Sequence, residues 1–118
     1  MAIHTALPIY KVTYDLALLA ATLTRNMPRD IKGLYGRQLS EECASLVLFV
    51  YRANSARDKV PYLDTLLERL QVTELLFRLC QDLHAISRAQ YARAIELTSS
   101  IGKQANGWRK HSASSPAA

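Results

Sequence analysis

The side chains best suited to chemistry in this sequence are cations, and they cluster in two segments. The 118 residues carry 15 Lys and Arg against 10 Asp and Glu, a net charge of +5. Residues 25–37 hold four basic residues against Asp30 alone, and residues 88–118 hold five against Glu96 alone. Localised positive charge attracts polyanions, and each phosphate contact releases counterions. We predict contacts to nucleic acid or a protein partner from Arg29, Lys32, Arg37, Arg88, Arg93, Lys103, Arg109 and Lys110.

The same charges have a plainer interpretation, because a basic composition is common among cytosolic proteins. In the second segment, Arg93, Lys103 and Lys110 fall close to one line if the segment is helical, and Arg109 thickens the patch beside Lys110. Such a stripe could follow a phosphate backbone. A solvated outer face of a helix explains the same spacing, so both interpretations stay open.

Patterns that support catalysis are absent from the sequence. It contains no His-Glu-x-x-His, no Gly-x-Ser-x-Gly and no phosphate-binding P-loop. The histidines His4, His84 and His111 lie in separate parts of the chain, and no Glu-x-x-His of the di-iron kind occurs. Cys43 and Cys80 are far apart with no His at metal-ligand spacing, which predicts two reduced, buried thiols. We expect a protein that is not an enzyme, with no catalytic residue, metal site or cofactor.

Two further local patterns each have a functional and a structural interpretation. Gly33 and Gly36 form a Gly-x-x-Gly that could grip a phosphate, but no strands surround it, so glycines that ease a helix start and a close helix crossing fit better. Trp108 could stack on an unpaired base. Its helical phase with Ile101 instead predicts that it closes the end of the core, with Gly107 letting a neighbouring helix approach.

The elements that position these residues read as helices throughout. Gly and Pro are scarce, four of each, and no segment alternates with the period of a strand. Apolar spacing predicts helices over about residues 7–26, 29–56 and 61–85, with Ser87 as N-cap of a fourth. Short connections favour antiparallel neighbours. The sequence therefore predicts an all-α fold, an up-down-up-down antiparallel four-helix bundle, as a single domain over residues 1–111 with a disordered tail over 112–118.

The surroundings of this bundle can also be read from the sequence. No apolar run approaches the roughly 20 residues of a membrane-spanning helix, and Met1 to Leu7 lacks the features of a signal peptide. We therefore expect a cytoplasmic protein without membrane contact. Leu48 and Phe49 point away from the apolar stripe of the second helix, which consequently either lies centrally or packs against a second subunit.

The chain resembles a known family in four segments: MPRDIKGLYGRQL, LERLQVTELLFRLCQDLHAIS, the tyrosine of SRAQY, and IGKQANGWRK. They are similar to the four-helix-bundle family that contains the accessory variability determinant (Avd) proteins of diversity-generating retroelements and related proteins encoded in ribosomal RNA intervening sequences. The resemblance covers about residues 10–110. Its most specific part is Ile101-Gly102, four residues, and Gly107-Trp108 followed by two basic residues.

The resemblance implies a homopentameric barrel with a positively charged surface. Such a protein binds RNA and DNA without strong sequence preference, associates with the reverse transcriptase of the element, and supports error-prone copying of a template RNA into cDNA. It also implies that Arg78, in the leucine-rich helix, meets phosphates or the reverse transcriptase. The alternative for Arg78 is surface pairing with Glu74 and Asp82, each one helical turn away.

Two functions therefore remain to be separated. The first is a nucleic-acid-binding accessory protein of a retroelement. The second is a structural or protein-interaction bundle of the intervening-sequence type, which would use its apolar second-helix surface and would show no salt-dependent retention on RNA.

Overall fold

The structure, a computed structural model, describes residues 3–114. A short 3-10 turn, His4–Ala6, precedes α1, Pro8–Arg25. The second helix, α2, comprises an α-helical turn Arg29–Ile31, a π-helical segment Lys32–Gly36 and an α-helical stretch Arg37–Ser55. The last two helices are α3, Val60–Asp82, and α4, Arg88–Ser114.

The helices pack as an antiparallel bundle, which confirms the predicted fold class. Thr24 near the end of α1 hydrogen-bonds Ser40 in the first half of α2, with 3.0 Å between the two hydroxyl oxygens. Arg109 near the end of α4 pairs with Asp64 near the start of α3. Each helix packs against its successor, and α4 packs against α1, which closes the bundle. The molecule measures 50 × 21 × 18 Å.

The core runs along the bundle axis and follows the apolar spacing of the four helices. Its largest fully buried side chains include Phe77, Leu16, Leu39 and Leu66. On α1, apolar spacing predicts an inner stripe of Val12, Leu16, Leu19 and Leu23, but Val12 and Leu19 are only half-buried while Thr13 is buried. Thr13 can lie inside because its hydroxyl donates to the carbonyls of Ile9 and Tyr10, so burial leaves no polar atom unpaired.

The connection between α3 and α4 departs from the predicted boundary. The third helix ends at Asp82, not at Ala85, because His84 adopts the left-handed conformation with φ 59°. The backbone N–H of His84 donates to the carbonyl of Gln81, and the backbone N–H of Ala85 donates to the carbonyl of Cys80. This pair of hydrogen bonds is the Schellman motif, which commonly ends a helix. Leu83 falls within the predicted range 61–85, where apolar spacing puts it on the buried face of the helix, but it lies past the helix end and is 41% exposed.

Ser87 caps α4 as predicted. Its hydroxyl accepts from the backbone N–H of Gln90 at 3.1 Å, and the Gln90 side chain accepts from the backbone N–H of Ser87 at 2.8 Å. This reciprocal pair satisfies two donors that a helix start leaves free. At the other end α4 continues to Ser114, whose hydroxyl donates to the carbonyl of His111. Residues 115–118 of the predicted tail lie outside the described residues, and their disorder stays a prediction.

The crossing of α1 and α2 depends on Gly36. A Cβ built there would lie 2.8 Å from Thr24 Cγ2 and 3.1 Å from Met27 Sδ, closer than side chains normally approach. Thr24 has little freedom to move, because its hydroxyl hydrogen-bonds both the carbonyl of Gly36 and the hydroxyl of Ser40. Gly33 has no such neighbour within 4 Å. The predicted role in a close crossing is therefore confirmed for Gly36 and wrong for Gly33.

These two glycines offer a matched test of the crossing. We expect Gly36→Ala to lower the free energy of unfolding by about 1–3 kcal/mol, because the added methyl overpacks the contact. Gly33→Ala should raise it by about 0.5–1 kcal/mol, since alanine loses less backbone entropy in a helix. Chemical denaturation followed by circular dichroism, at one protein concentration, measures both. Equal shifts for the two variants would contradict the crossing argument.

Candidate nucleic-acid interface

The antiparallel topology brings two distant parts of the sequence to one end of the bundle. The connection between α1 and α2 and the connection between α3 and α4 both lie there, because α2 runs opposite to each of its neighbours. The segment 25–37 and the segment 78–93 therefore share an end face whose cross-section is 21 × 18 Å. We call this surface the basic end; its cations are Arg25, Arg29, Lys32, Arg37, Arg78, Arg88 and Arg93.

Most of these cations are not neutralised by carboxylates. Five of the seven are exposed and form no ion pair with any residue in the range 3–114, namely Arg25, Arg29, Lys32, Arg37 and Arg88. The other two, Arg78 and Arg93, are each paired with a carboxylate on their own helix or at its end. An exposed side chain without a partner costs little to desolvate partially and can reach a phosphate, so the basic end supplies the charge that polyanion binding requires.

Charge varies systematically along the long axis of the bundle. The segments 25–37 and 78–93 carry seven basic and two acidic residues, and the opposite end, formed by residues 3–15, 50–64 and 103–114, carries seven basic and three acidic residues. The middle of the bundle carries Arg69 against five glutamates: Glu41, Glu42, Glu68, Glu74 and Glu96. A polyanion is therefore attracted to the ends and repelled by the middle.

The opposite end uses more of its cations internally. Lys59 Nζ donates to the carbonyls of Ala53, Asn54 and Ala56, which satisfies the end of α2. Lys11 pairs with Asp15 in the first helix. Arg109 pairs with Asp64, and this hydrogen bond raises the pKa of the guanidinium further above its usual range. Less of the charge at this end is free to meet phosphates than at the basic end.

The structure decides between the two partners considered for Arg78. Its Nε lies 3.4 Å from Asp82 Oδ2, and both side chains are more than half exposed. Glu74 takes a different partner, since its carboxylate accepts from the Thr98 hydroxyl on α4 at 3.1 Å. The predicted pairing of Arg78 is thus confirmed with Asp82 and wrong with Glu74. An exposed pair of this kind is weak, which leaves Arg78 able to engage a phosphate.

The cations predicted to form a stripe on α4 are not buried, but they do not lie close together. Arg93 and Lys110 are 17 positions apart, which is about 25 Å along a helix. Arg93 pairs with Glu96 at 3.3 Å, near the basic end, while Lys103 and Lys110 belong to the opposite end. The nine predicted residues therefore divide between two ends, with Arg29, Lys32, Arg37, Arg78, Arg88 and Arg93 on one side and Lys103, Arg109 and Lys110 on the other.

A cleft that the sequence analysis did not identify opens at the corner between α3 and α4. Its volume is about 760 Å³, and we call it the corner cleft. Two guanidinium groups line it, one from each helix, together with an imidazole and a tyrosine: Arg78, Arg88, His84 and Tyr91. The sequence gives no signal for this cleft, because His84, and not the usual glycine, takes the left-handed conformation that ends α3.

The local patterns at Trp108 and the Gly-x-x-Gly have structural roles. Trp108 is half-buried and packs against the core, beside Pro8 and Ile9 at the start of α1, as predicted. Gly107 does not serve a close approach, because a Cβ there would meet nothing within 4 Å. Gly33 and Gly36 lie within the π-helical segment of α2, so they do not form a phosphate-gripping loop between strands.

A patch of exposed apolar side chains lies on the other side of the molecule, where α1 meets α2. The ring of His4 lies 5.2 Å from Tyr10 and 4.9 Å from Tyr51, and Tyr10 stacks on Tyr14 at 6.0 Å, so these rings form a continuous row. We define the apolar face by the four side chains that are about half exposed there: Tyr14, Leu18, Leu48 and Tyr51. Of the two residues predicted to point away from the core, Leu48 does so, whereas Phe49 packs against it.

The two cysteines are buried and free, as predicted. Burial, with a smaller effect from Glu42, raises the pKa of Cys43 to about 12, and burial also raises the pKa of Cys80. Both are therefore protonated at neutral pH and poorly nucleophilic. Among the described residues no three His, Cys, Asp or Glu side chains are grouped so that they could hold a metal ion. None of the helices over positions 3–114 is long and apolar enough to cross a bilayer.

Comparison with known proteins matches most of this chain to one family. A family model described as bAvd-like matches residues 8–112, which includes all four helices almost completely. No match was found among curated proteins or among solved structures.

Proposed function

This chain belongs to the bAvd-like family, and from that premise we propose that it is an accessory nucleic-acid-binding protein of a diversity-generating retroelement. It binds RNA and DNA without sequence preference and associates with the reverse transcriptase during mutagenic cDNA synthesis. It works in the cytoplasm and catalyses no reaction itself.

The observation that carries the proposal is the basic end. Two segments that are far apart in sequence place five unpaired cations on one end of a rigid bundle. Their guanidinium and ammonium groups suit phosphate oxygens. Contacts of this type follow the backbone and do not distinguish sequences.

We further propose that the chain is a homo-oligomer, a pentamer as its resemblance to the Avd proteins implies. The apolar face supports this, because Tyr14, Leu18, Leu48 and Tyr51 lose contact with water only if another molecule covers them. Five copies in a ring carry a charge of about +25, given +5 for each chain. A ring also holds the basic ends in a fixed array, which strengthens binding to a long polyanion.

The second candidate function, a protein-interaction bundle without nucleic acid, draws its support from the same apolar face. The two candidates differ in what they predict for salt. If phosphates are bound, log affinity falls linearly with log salt concentration, with a slope of about 0.9 for each phosphate contact. A protein-interaction bundle shows no such salt dependence, because it does not bind nucleic acid.

The experiment is a titration of the purified chain against an RNA strand and a DNA duplex of mixed sequence, between about 50 and 200 mM salt. Five free cations at each basic end predict, for each chain engaged, a slope of about 4.5 on the duplex and about 3.5 on the single strand. Shuffling the sequence of either probe should leave the affinity unchanged. Absence of binding at the lowest salt concentration would refute the proposed function.

A further inference from the structure

We propose that the corner cleft holds one unpaired nucleotide of a bound strand, with its phosphate between Arg78 and Arg88 and its base against Tyr91. This inference rests on the proposed function, because it assigns a place to a single nucleotide within a nucleic acid that the chain binds. It adds a preference that the basic end alone does not have, namely for single strands over duplexes.

The size and position of the cleft suit a nucleotide. Its volume of about 760 Å³ lies in the range of small-molecule sites. It opens at the basic end, between the last turn of α3 and the first turns of α4, so a strand held by the neighbouring cations passes its mouth. The capping bonds between Ser87 and Gln90 fix the start of α4, which keeps the cleft wall in place without a ligand.

Two guanidinium groups line the cleft from different helices. Arg88 forms no ion pair within the described chain, and Arg78 uses its Nε toward Asp82 at 3.4 Å. A guanidinium has five N–H donors, so Arg78 keeps others for a phosphate oxygen. Asp82 also lines the cleft and would repel a phosphate. Its charge is offset by the paired Arg78, and its oxygens can accept from the amino groups of a base.

The aromatic content of the cleft distinguishes it from an ordinary basic patch. Tyr91 lines the cleft, is half-buried and packs against the core, which restricts the motion of its ring. Bases stack on such rings regardless of sequence. A paired base inside a duplex is already stacked on its neighbours and cannot enter a side cleft without leaving the helix. The cleft therefore selects nucleotides that are already unpaired.

His84 adds a second ring at a position where the backbone favours glycine. Its φ of 59° is the left-handed conformation in which a side chain costs conformational energy, and glycine would end α3 at lower cost. The imidazole lines the cleft beside Arg78 and Arg88. His84→Gly should therefore stabilise the fold and weaken the binding of a single strand. A residue with a purely structural role would not change stability and affinity in opposite directions.

The test compares a short uridine-rich RNA strand with a DNA duplex of equal length, each labelled for fluorescence anisotropy. We expect Tyr91→Leu to lower affinity for the strand about 10-fold and to change affinity for the duplex less than about twofold. His84→Gly should lower affinity for the strand while raising the melting temperature. Tyr62→Leu, at the exposed start of α3 on the opposite end, is the matched control and should change neither affinity.

A second measurement uses the unaltered chain, so it does not depend on how the variants fold. A strand carrying 5-iodouridine is crosslinked by light and the modified peptide is identified by mass spectrometry. Crosslinks at Tyr91 or His84 support the cleft, whereas crosslinks confined to Tyr14, Tyr51 or Tyr62 overturn it. Equal loss of strand and duplex affinity in Tyr91→Leu also overturns it. Failure of both probes to bind wild-type protein at low salt instead refutes the proposed function.

Discussion

Replacing Arg29, Lys32 and Arg37 together with glutamine should lower affinity for duplex DNA on the order of 100-fold at low salt. All three are exposed at the start of α2 and form no ion pair in the part of the chain that the structure describes. If each meets a phosphate, the slope of log affinity against log salt should also fall by about 0.9 for each residue, or about 2.7 in total. The loss should therefore shrink as salt is raised.

The control must remove the same charge from another place. The triple variant Lys11→Gln, Arg52→Gln and Arg57→Gln also lowers the net charge by three, but its residues lie toward the opposite end. We expect its affinity to fall less than about 10-fold, through the weaker long-range field alone. Equal losses in the two triple variants would mean that total charge, and not the basic end, governs binding. Circular dichroism and light scattering establish that both remain folded and assembled.

The helices and most of their first and last residues were predictable, because interactions within a few residues determine them. Proline at the first turns of α1 and α3, the capping hydroxyl of Ser87 and the three-and-four apolar spacing all act within a few residues. The end of α3 was missed because the usual glycine is absent and His84 takes the left-handed conformation in its place. A sequence pattern carries no marker for a histidine held in that conformation by the surrounding turn.

The candidate site was harder to predict, because it depends on which helices are neighbours and on how they rotate. The sequence analysis predicted every cation of the basic end except Arg25 as a contact residue, but grouped them by position along the chain. Antiparallel packing regroups them, joining Arg78 and Arg88 to the segment 25–37 and separating Lys103 and Lys110 from Arg88. Pairing depends on contacts between helices as well. Glu74 accepts a hydrogen bond from Thr98 because α4 packs against α3 at that point. The spacing of residues within α3 alone cannot reveal this partner.

Apolar spacing also does not distinguish a core from an interface. Leu18 and Leu48 are leucines within helices, as the buried leucines are, yet they are 53% and 44% exposed. Only the packed bundle separates the side chains that the four helices bury from those that they leave for another molecule. The contact between the rings of His4 and Tyr51 likewise forms only because the turn before α1 lies beside the end of α2.

Assembly provides the other large expected effect. Replacing Leu48 with lysine should dissociate the oligomer into monomers, because it places an unpaired charge in the middle of the apolar face. A central interface residue is worth about 2 kcal/mol or more, and a closed ring repeats the loss at every subunit contact. Light scattering measures the mass directly. Leu34→Lys is the control, since Leu34 is 66% exposed but lies beside the basic end. Assembly that survives Leu48→Lys would exclude the apolar face as the contact.

A ring of five imposes a further condition on the surface. Rotational symmetry of this kind joins two different patches, so the apolar face must meet another part of the neighbouring chain and not its own copy. The most exposed leucine on α3, Leu75 at 66%, marks a second apolar site for this role. Leu75→Lys should then also yield monomers. Mixed with Leu48→Lys, each variant still offers the surface that the other lacks, so heterodimers should form. If neither variant rescues the other, the two leucines belong to one patch and the assembly is a two-fold dimer.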